Sequence, residues 1–176
     1  MLLTAMCLAI IITVSIPTIL NRLAKIKVLL CSRGYSTSHH SNASIIGFSF
    51  VPEVSIHVAI SSEDPSIVLE TLASLALIDY PNYHVIVIDN NTILEHLWKP
   101  VEAFCISHNS LFTFYHVENL RGFKAGALNF ALEHTAPNAE LIAIVDADTV
   151  VEPDYLKETV IEFYNEKVAV VQSPLA

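Results

Sequence analysis

"LIAIVDADTV", residues 141–150, is an apolar run that ends in two aspartates, Asp146 and Asp148, with one alanine between them. A short apolar run that stops at turn-forming residues is typical of a buried strand. Side chains two residues apart in an extended segment point to the same side, about 6–7 Å apart. Two such carboxylates are near enough to share one hard cation. Aspartates at strand ends also cap helices and close turns, so the pair alone leaves both interpretations open.

Similar apolar runs recur from residue 53 onward, and segments with helical spacing separate them. The predicted strands are 54–60, 83–89, 111–117, 140–146 and 168–172. The predicted helices are 65–77, 93–107, 123–134 and 153–165. Strands that are apolar on both faces and alternate with helices predict an α/β fold, in which helices cover both faces of a mostly parallel sheet.

Polar residues follow four of the predicted strands, at the edge where parallel sheets bind their ligands. Glu63 follows the first strand, Asp89 ends the second, Lys124 begins the helix after the third, and Asp146 and Asp148 end the fourth. This combination suits a ligand whose phosphates are neutralised by a divalent metal, with a lysine and a helix N-terminus nearby. Each residue taken singly also has an ordinary interpretation as a turn residue or a solvated charge.

Composition and motifs exclude several classes of protein. Residues 51–176 hold five basic and 18 acidic residues, a balance of −13 that argues against a nucleic-acid-binding surface. The chain has four glycines, and neither GxGxxG nor GxxxxGK[ST] occurs, so dinucleotide dehydrogenases and P-loop NTPases are excluded. The three cysteines are too far apart in sequence for a CxxC metal site or a paired disulfide framework.

The N-terminal segment has the character of a membrane anchor. Residues 1–20 carry no charge, and residues 1–21 are long enough to cross a hydrocarbon core of about 30 Å as a transmembrane helix. The basic residues of the polar linker 22–52 follow this run, which predicts a plasma-membrane protein with its following domain in the cytoplasm. A cleaved signal peptide is less consistent, because its positive charges precede the apolar run.

Five segments, in order, resemble the family 2 glycosyltransferases of the cellulose-synthase-like type. They are "VSIHVAISSEDP" (54–65), "TLASLALIDYPNYHVIVIDNNT" (71–92), "GFKAGALNFAL" (122–132), "DADTVVEPDYL" (146–156) and "VAVVQSP" (168–174). The resemblance implies a membrane enzyme whose cytoplasmic GT-A domain, a Rossmann-like fold, transfers a sugar with inversion into a β-linked glucan. It further implies UDP-glucose as the donor, a growing glycan as the acceptor and Mg²⁺ or Mn²⁺ as the cofactor.

The resemblance also assigns roles to single residues. Asp89 matches an aspartate that contacts the uridine of the donor, and Lys124 matches a lysine near the diphosphate. Asp146 and Asp148 match the DxD pair, in which the second aspartate coordinates the metal and the first lies against the nucleotide-sugar. Glu63 matches a glutamate at the end of strand one, although Ser61-Ser62 replaces the Tyr-Asn that precedes it in the family.

Relatives of this type continue past "VQSP" to an acidic motif that supplies the general base, a QxxRW motif and further membrane helices. None of these motifs occurs before Ala176, so we expect residues 53–176 to be the nucleotide-sugar-binding part of a longer domain, with no catalytic base assigned. Two alternatives remain. A membrane-tethered binding module would keep the fold without chemistry, and a phosphoacceptor domain would need an acid pair where Ser61-Ser62 stands.

Overall fold

The computed structural model describes residues 50–173. The predicted transmembrane helix 1–21 and most of the linker 22–52 lie outside these residues. Within 50–173, no helix combines the length and the apolar content that a bilayer crossing requires.

The centre of the described part is a sheet of four parallel strands in the order β3-β2-β1-β4. The strands are β1 (Val54–Ile60), β2 (Tyr83–Asn90), β3 (Phe112–Val117) and β4 (Leu141–Asp146). Ile60 lies opposite Asp89, which lies opposite His116, and Ala59 lies opposite Asp146. The carboxyl ends of all four strands therefore meet at one edge, and the predicted parallel sheet is confirmed.

Within residues 50–173, four helices connect and follow the strands. They are α1 (Pro65–Ala76), α2 (Glu95–Ser107), α3 (Phe123–Glu133) and α4 (Tyr155–Val160), and a 3-10 turn, Ile161–Tyr164, follows α4. The start of α1 has a local cause, because the Asp64 carboxylate accepts a hydrogen bond from the backbone amide of Ser66 and Pro65 fills the first helical position.

Apolar side chains cover both faces of the two central strands, β1 and β2, whereas the edge strand β4 leaves Ile142 and Ile144 46% and 56% exposed. The larger core joins the alternate β1 residues to α1, α2 and α4. Its members include Val54, Ile56, Val58, Ile60, Val68, Leu72, Leu75, Val101, Cys105, Leu156 and Val160. The smaller core lies on the opposite face, where Ile86 and Ile88 of β2 pack against Ala127 and Ala131 of α3. The α3 side of the sheet is thus closed by small residues, which bring that helix close to the strands.

The predicted strand 168–172 is wrong. Residues 168–172 form no strand in the structure, and Val170 is 79% exposed. A strand-like composition expresses a fit to a pleated, half-buried surface rather than an intrinsic backbone preference, so it forms a strand only where a neighbouring strand is available. The predicted helix 153–165 is also shorter, because it narrows into the 3-10 turn after Val160.

Candidate active site

A cleft of about 450 Å³ opens at the carboxyl edge of the sheet, on the side of α3. Four of the five predicted site residues line it together: Glu63, Lys124, Asp146 and Asp148. The other lining residues are Ala59, Ile60, Ser61, Asp64, Ile67, Asn90, Ala127 and Ala147. The volume lies in the range of about 300–1,000 Å³ that is usual for small-molecule sites.

The two aspartates at the end of β4 are presented to the cleft by the residue between them. Ala147 is only 8% exposed, and its carbonyl accepts a hydrogen bond of 2.9 Å from the buried hydroxyl of Thr71 in α1. A turn follows, in which the amide of Thr149 donates to the carbonyl of Asp146 at 3.1 Å. Because Ala147 is tied to the core, Asp146 and Asp148 on either side of it are exposed at the cleft.

The chemistry of this pair fits a hard divalent cation. Among residues 50–173, no group of three or more His, Cys, Asp or Glu side chains forms a metal-binding cluster. Mg²⁺ is usually held by only one or two carboxylates, together with water and substrate phosphates, instead of a complete protein cage. Asp146 and Asp148 supply oxygen ligands of that kind and number, so the pair suits a cation that a phosphate ligand helps to hold.

Positive charge reaches the cleft from the start of α3. The Lys124 ammonium donates a hydrogen bond to Asp146 Oδ1 across the cleft. Lys124 and Asp146 are both more than half exposed, and such surface ion pairs contribute only about 0–1 kcal/mol. The pair can therefore be exchanged for contacts with an anion at little cost. Lys124 stands in the first turn of α3, where the N–H groups of a helix carry a partial positive charge.

The turn after β1 forms the opposite wall. Glu63 accepts a hydrogen bond from the backbone amide of Ser61, and the Ser61 hydroxyl donates to the carbonyl of Asn90 at 2.9 Å. The Ser62 amide donates to Thr92 Oγ1 at 2.8 Å. These bonds hold the turn against the end of β2. Glu63 therefore stabilises the conformation of the wall and also contributes a negative charge to it.

Asp64 adds a second acid at the same wall. The hydroxyl and the backbone amide of Ser66 donate to its carboxylate and hold the pKa of that carboxyl below its usual value. Asp64 is therefore an N-cap of α1 that stays ionised at the cleft.

Asp89, the fifth predicted site residue, does not line the cleft. It is 0% exposed, and its carboxylate accepts hydrogen bonds from Thr92 Oγ1 and from His116 Nδ1, the latter at 2.6 Å. The lining residue at the end of β2 is its neighbour Asn90, which is 5% exposed and whose Oδ1 has no hydrogen-bond partner. The contact of Asp89 with a nucleoside stays a prediction, and the structure adds Asn90, a residue that no motif of the sequence singled out.

Comparisons with known proteins give the fold and the family. The protein family described as "Glycosyl transferase family 2" matches residues 55–176 of this chain. Two curated relatives, both named beta-monoglucosyldiacylglycerol synthase, come from Trichormus variabilis and a Nostoc species, and each is 35% identical over 130 residues. The matched region is 69% of this chain and 26% of each relative, so the chain spans about a quarter of their length.

Solved structures share this fold. A mannosyltransferase from Pyrobaculum calidifontis, in complex with GDP-Man and Mn²⁺, superposes with a TM-score of 0.54 at 29% identity, over 62% of this chain and 31% of that one. S. aureus TarS superposes with a TM-score of 0.52 at 25% identity, over 65% of this chain and 20% of that one. The likeness confirms the predicted GT-A fold, and since the family match covers well over half of its residues, the chain belongs to glycosyl transferase family 2.

Proposed function

We propose that this chain carries the donor-binding part of a membrane-anchored glycosyltransferase, which transfers glucose from UDP-glucose with inversion into a β-linked product. The observation that carries the proposal is the cleft that gathers Lys124, Asp146 and Asp148 beside the N-terminus of α3. The names of the curated relatives favour glucose as the sugar, and they add a diacylglycerol hydroxyl to the glycan acceptors expected from the sequence.

The diphosphate of the donor fits the basic side of the cleft. Lys124 and the amides at the start of α3 offer positive potential to phosphate oxygens, which are stronger partners than the exposed carboxylate that Lys124 contacts without a ligand. Asp146 and Asp148 would hold Mg²⁺ or Mn²⁺ against the same phosphates. When bound, the cation neutralises charge on the departing nucleoside diphosphate. The Mn²⁺ complex of the Pyrobaculum relative supports a divalent ion of this kind.

The nucleobase fits the Asn90 side of the cleft. An asparagine amide offers N–H donors and a carbonyl acceptor. The imide edge of uracil offers a single N–H donor between two carbonyl acceptors, so the two groups can pair. The unpartnered Oδ1 of Asn90 supports this assignment, because a buried acceptor without a partner costs free energy until a ligand satisfies it. Glu63 and the turn that it stabilises would close the same side of the pocket.

Membrane attachment rests on the sequence outside the described residues. The uncharged run 1–21, the basic linker 22–52 and the acidic domain 53–176 support a chain that is anchored in the plasma membrane with its donor site in the cytoplasm. The lipid bilayer and the growing glycan are then its partners. No described residue is assigned as the catalytic base.

Calorimetric titration of the full 176-residue chain in mild detergent tests the donor site. We expect UDP-glucose to bind in the presence of Mn²⁺ and to lose affinity at least about tenfold in EDTA, equivalent to about 1.4 kcal/mol. Asp148→Asn should reproduce this loss, whereas uridine, which has no phosphates, should bind both proteins equally. The matched control is Asp154→Asn, an exposed aspartate outside the cleft. Metal-dependent binding that Asp148→Asn leaves unchanged contradicts the assignment.

A further inference from the structure

Asp89 and His116 form a pair beneath the cleft wall, and neither of them lines the cleft. We propose that His116 is a positioning residue of the donor site: through Asp89 and Thr92 it fixes the Ser61–Asp64 turn against the end of β2. The consequence for donor binding rests on the proposed function. The effect on the turn itself does not, and the two can be measured separately.

The first contact joins His116 of β3 to Asp89 of β2. His116 Nδ1 lies 2.6 Å from Asp89 Oδ2, and Thr92 Oγ1 donates to the other oxygen of the same carboxylate. A buried carboxylate is stable only when its oxygens accept hydrogen bonds, and ionised acceptors form the strongest ones. A carboxylate oxygen accepts, so we assign the donating N–H of this contact to His116 Nδ1. Removal of the imidazole would therefore leave one buried oxygen of Asp89 without its donor.

The imidazole is held in place by α2. The rings of Trp98 and His116 stack with centroids 4.3 Å apart and an angle of 18° between their planes. On the other side, His116 Nε2 lies 3.8 Å from the exposed carboxylate of Glu118. The stacking fixes the plane of the ring and aims Nδ1 at Asp89, so the geometry is set by packing between α2 and β3.

The second step runs from Asp89 to the cleft wall through Thr92. Thr92 is 3% exposed; its hydroxyl donates to Asp89 and accepts from the Ser62 amide at 2.8 Å. Ser62 has a φ of 65°, a left-handed conformation that is unfavourable for a residue with a side chain and that persists where its surroundings hold it. The Thr92 hydroxyl can serve both partners only in one orientation, which Asp89 sets. Ser61 and Glu63, on either side of Ser62, line the cleft.

The full chain with His116→Phe is the test. Phenylalanine keeps the stack on Trp98 but has no N–H, whereas His116→Asn restores a donor near the position of Nδ1. The matched control is His108→Phe, since His108, the C-cap of α2, stacks on Phe104 with the same 4.3 Å spacing and lies away from the cleft. The readouts are hydrogen exchange of the peptide that contains residues 61–64, without ligand, and calorimetric affinity for UDP with Mn²⁺.

We expect His116→Phe to speed exchange at residues 61–64 by about tenfold through local opening and to weaken UDP binding by a similar factor. His116→Asn should restore most of the slow exchange and most of the affinity for UDP. His108→Phe should change neither the exchange rate nor the affinity. Unchanged exchange in His116→Phe, or equal changes in His108→Phe, would overturn the proposal. A wild-type chain that fails to bind UDP overturns the proposed function, whereas the exchange data still decide whether His116 positions the turn.

Discussion

Asn90 is the single residue whose side chain is least satisfied in the described structure without a ligand. Its Oδ1 is buried and has no partner, which costs about 1–3 kcal/mol relative to a hydrogen-bonded amide. A leucine side chain has a shape similar to that of asparagine and no polar atom, so Asn90→Leu removes this unsatisfied group. We therefore expect it to raise the free energy of unfolding in urea and, at the same time, to weaken UDP binding measured by calorimetry.

The opposite signs make this prediction specific. Asn129→Leu, at an exposed position of α3, is the control and should change neither quantity. A variant Asn90→Leu that is destabilised and still binds UDP with wild-type affinity would show that the amide stabilises the fold and does not read the base.

The neighbouring Asp89 illustrates why the sequence could not choose between these two residues. Adjacent residues of a strand point to opposite faces, so Asp89 and Asn90 project to opposite sides of the sheet, and Asn90 is the one that lines the cleft. In β2 every residue from Val85 to Asn90 is buried, because helices cover both faces of this central strand. A strand that is apolar on both faces has no alternation, and its pattern therefore carries no information on which side chain points where.

At the scale of elements, the close contact between α3 and the loop before it is the least tolerant feature of the site. A Cβ on Gly126 would lie 1.9 Å from the carbonyl oxygen of Arg121, and Gly122, the N-cap of the helix, has a φ of +94°. Gly126→Ala must therefore displace the loop that precedes Lys124. We expect a loss of about 1–3 kcal/mol in the free energy of unfolding, as for overpacked sites. We also expect the variant to lose more affinity for UDP than for uridine, because the displaced loop precedes the lysine that faces the phosphates.

Ala125→Ser provides the comparison for Gly126→Ala, since Ala125 is exposed in the same turn of α3. It should leave both the urea midpoint and the ratio of UDP to uridine affinity unchanged. Equal stability of Gly126→Ala and wild type would mean that the loop moves away freely, and the close contact would then have no part in placing Lys124.

The existence and order of the strands and helices were predictable from the sequence, because long apolar runs predict buried strands and regular helical spacing predicts helices. β1 was predicted with its observed bounds, and α2 begins two residues later than expected, at Glu95. The failed prediction, 168–172, is a segment of five residues whose apolar composition could not show whether a partner strand exists. Long-range pairing decides such a segment, and local propensity does not.

For the molecule as a whole, we expect the pH dependence of stability to depend on two histidines of the sheet, His57, which is buried, and His84, which is half-buried. Burial lowers the pKa of His57 and of His84 below the usual value. His57 Nε2 lies within hydrogen-bond distance of Ser55 and Thr135, at 3.1 and 2.9 Å. Above about pH 6.5 both histidines are neutral in the folded and the unfolded chain alike, so they impose no cost there.

Stability should fall as the pH decreases from 7.5 to 5.5. Below about pH 6.5 the unfolded chain binds protons that the buried imidazoles of the folded chain do not, and this difference favours unfolding. The lowered pKa values of Asp64 and Glu95 act in a separate window near pH 4, where protonation removes their stabilising bonds.

Urea midpoints measured across pH 5.5–7.5 therefore report on the histidines. His57→Gln should flatten the dependence, whereas His96→Gln, at an exposed position of α2, should not. A His57→Gln profile that is as steep as that of wild type would assign the dependence to other groups.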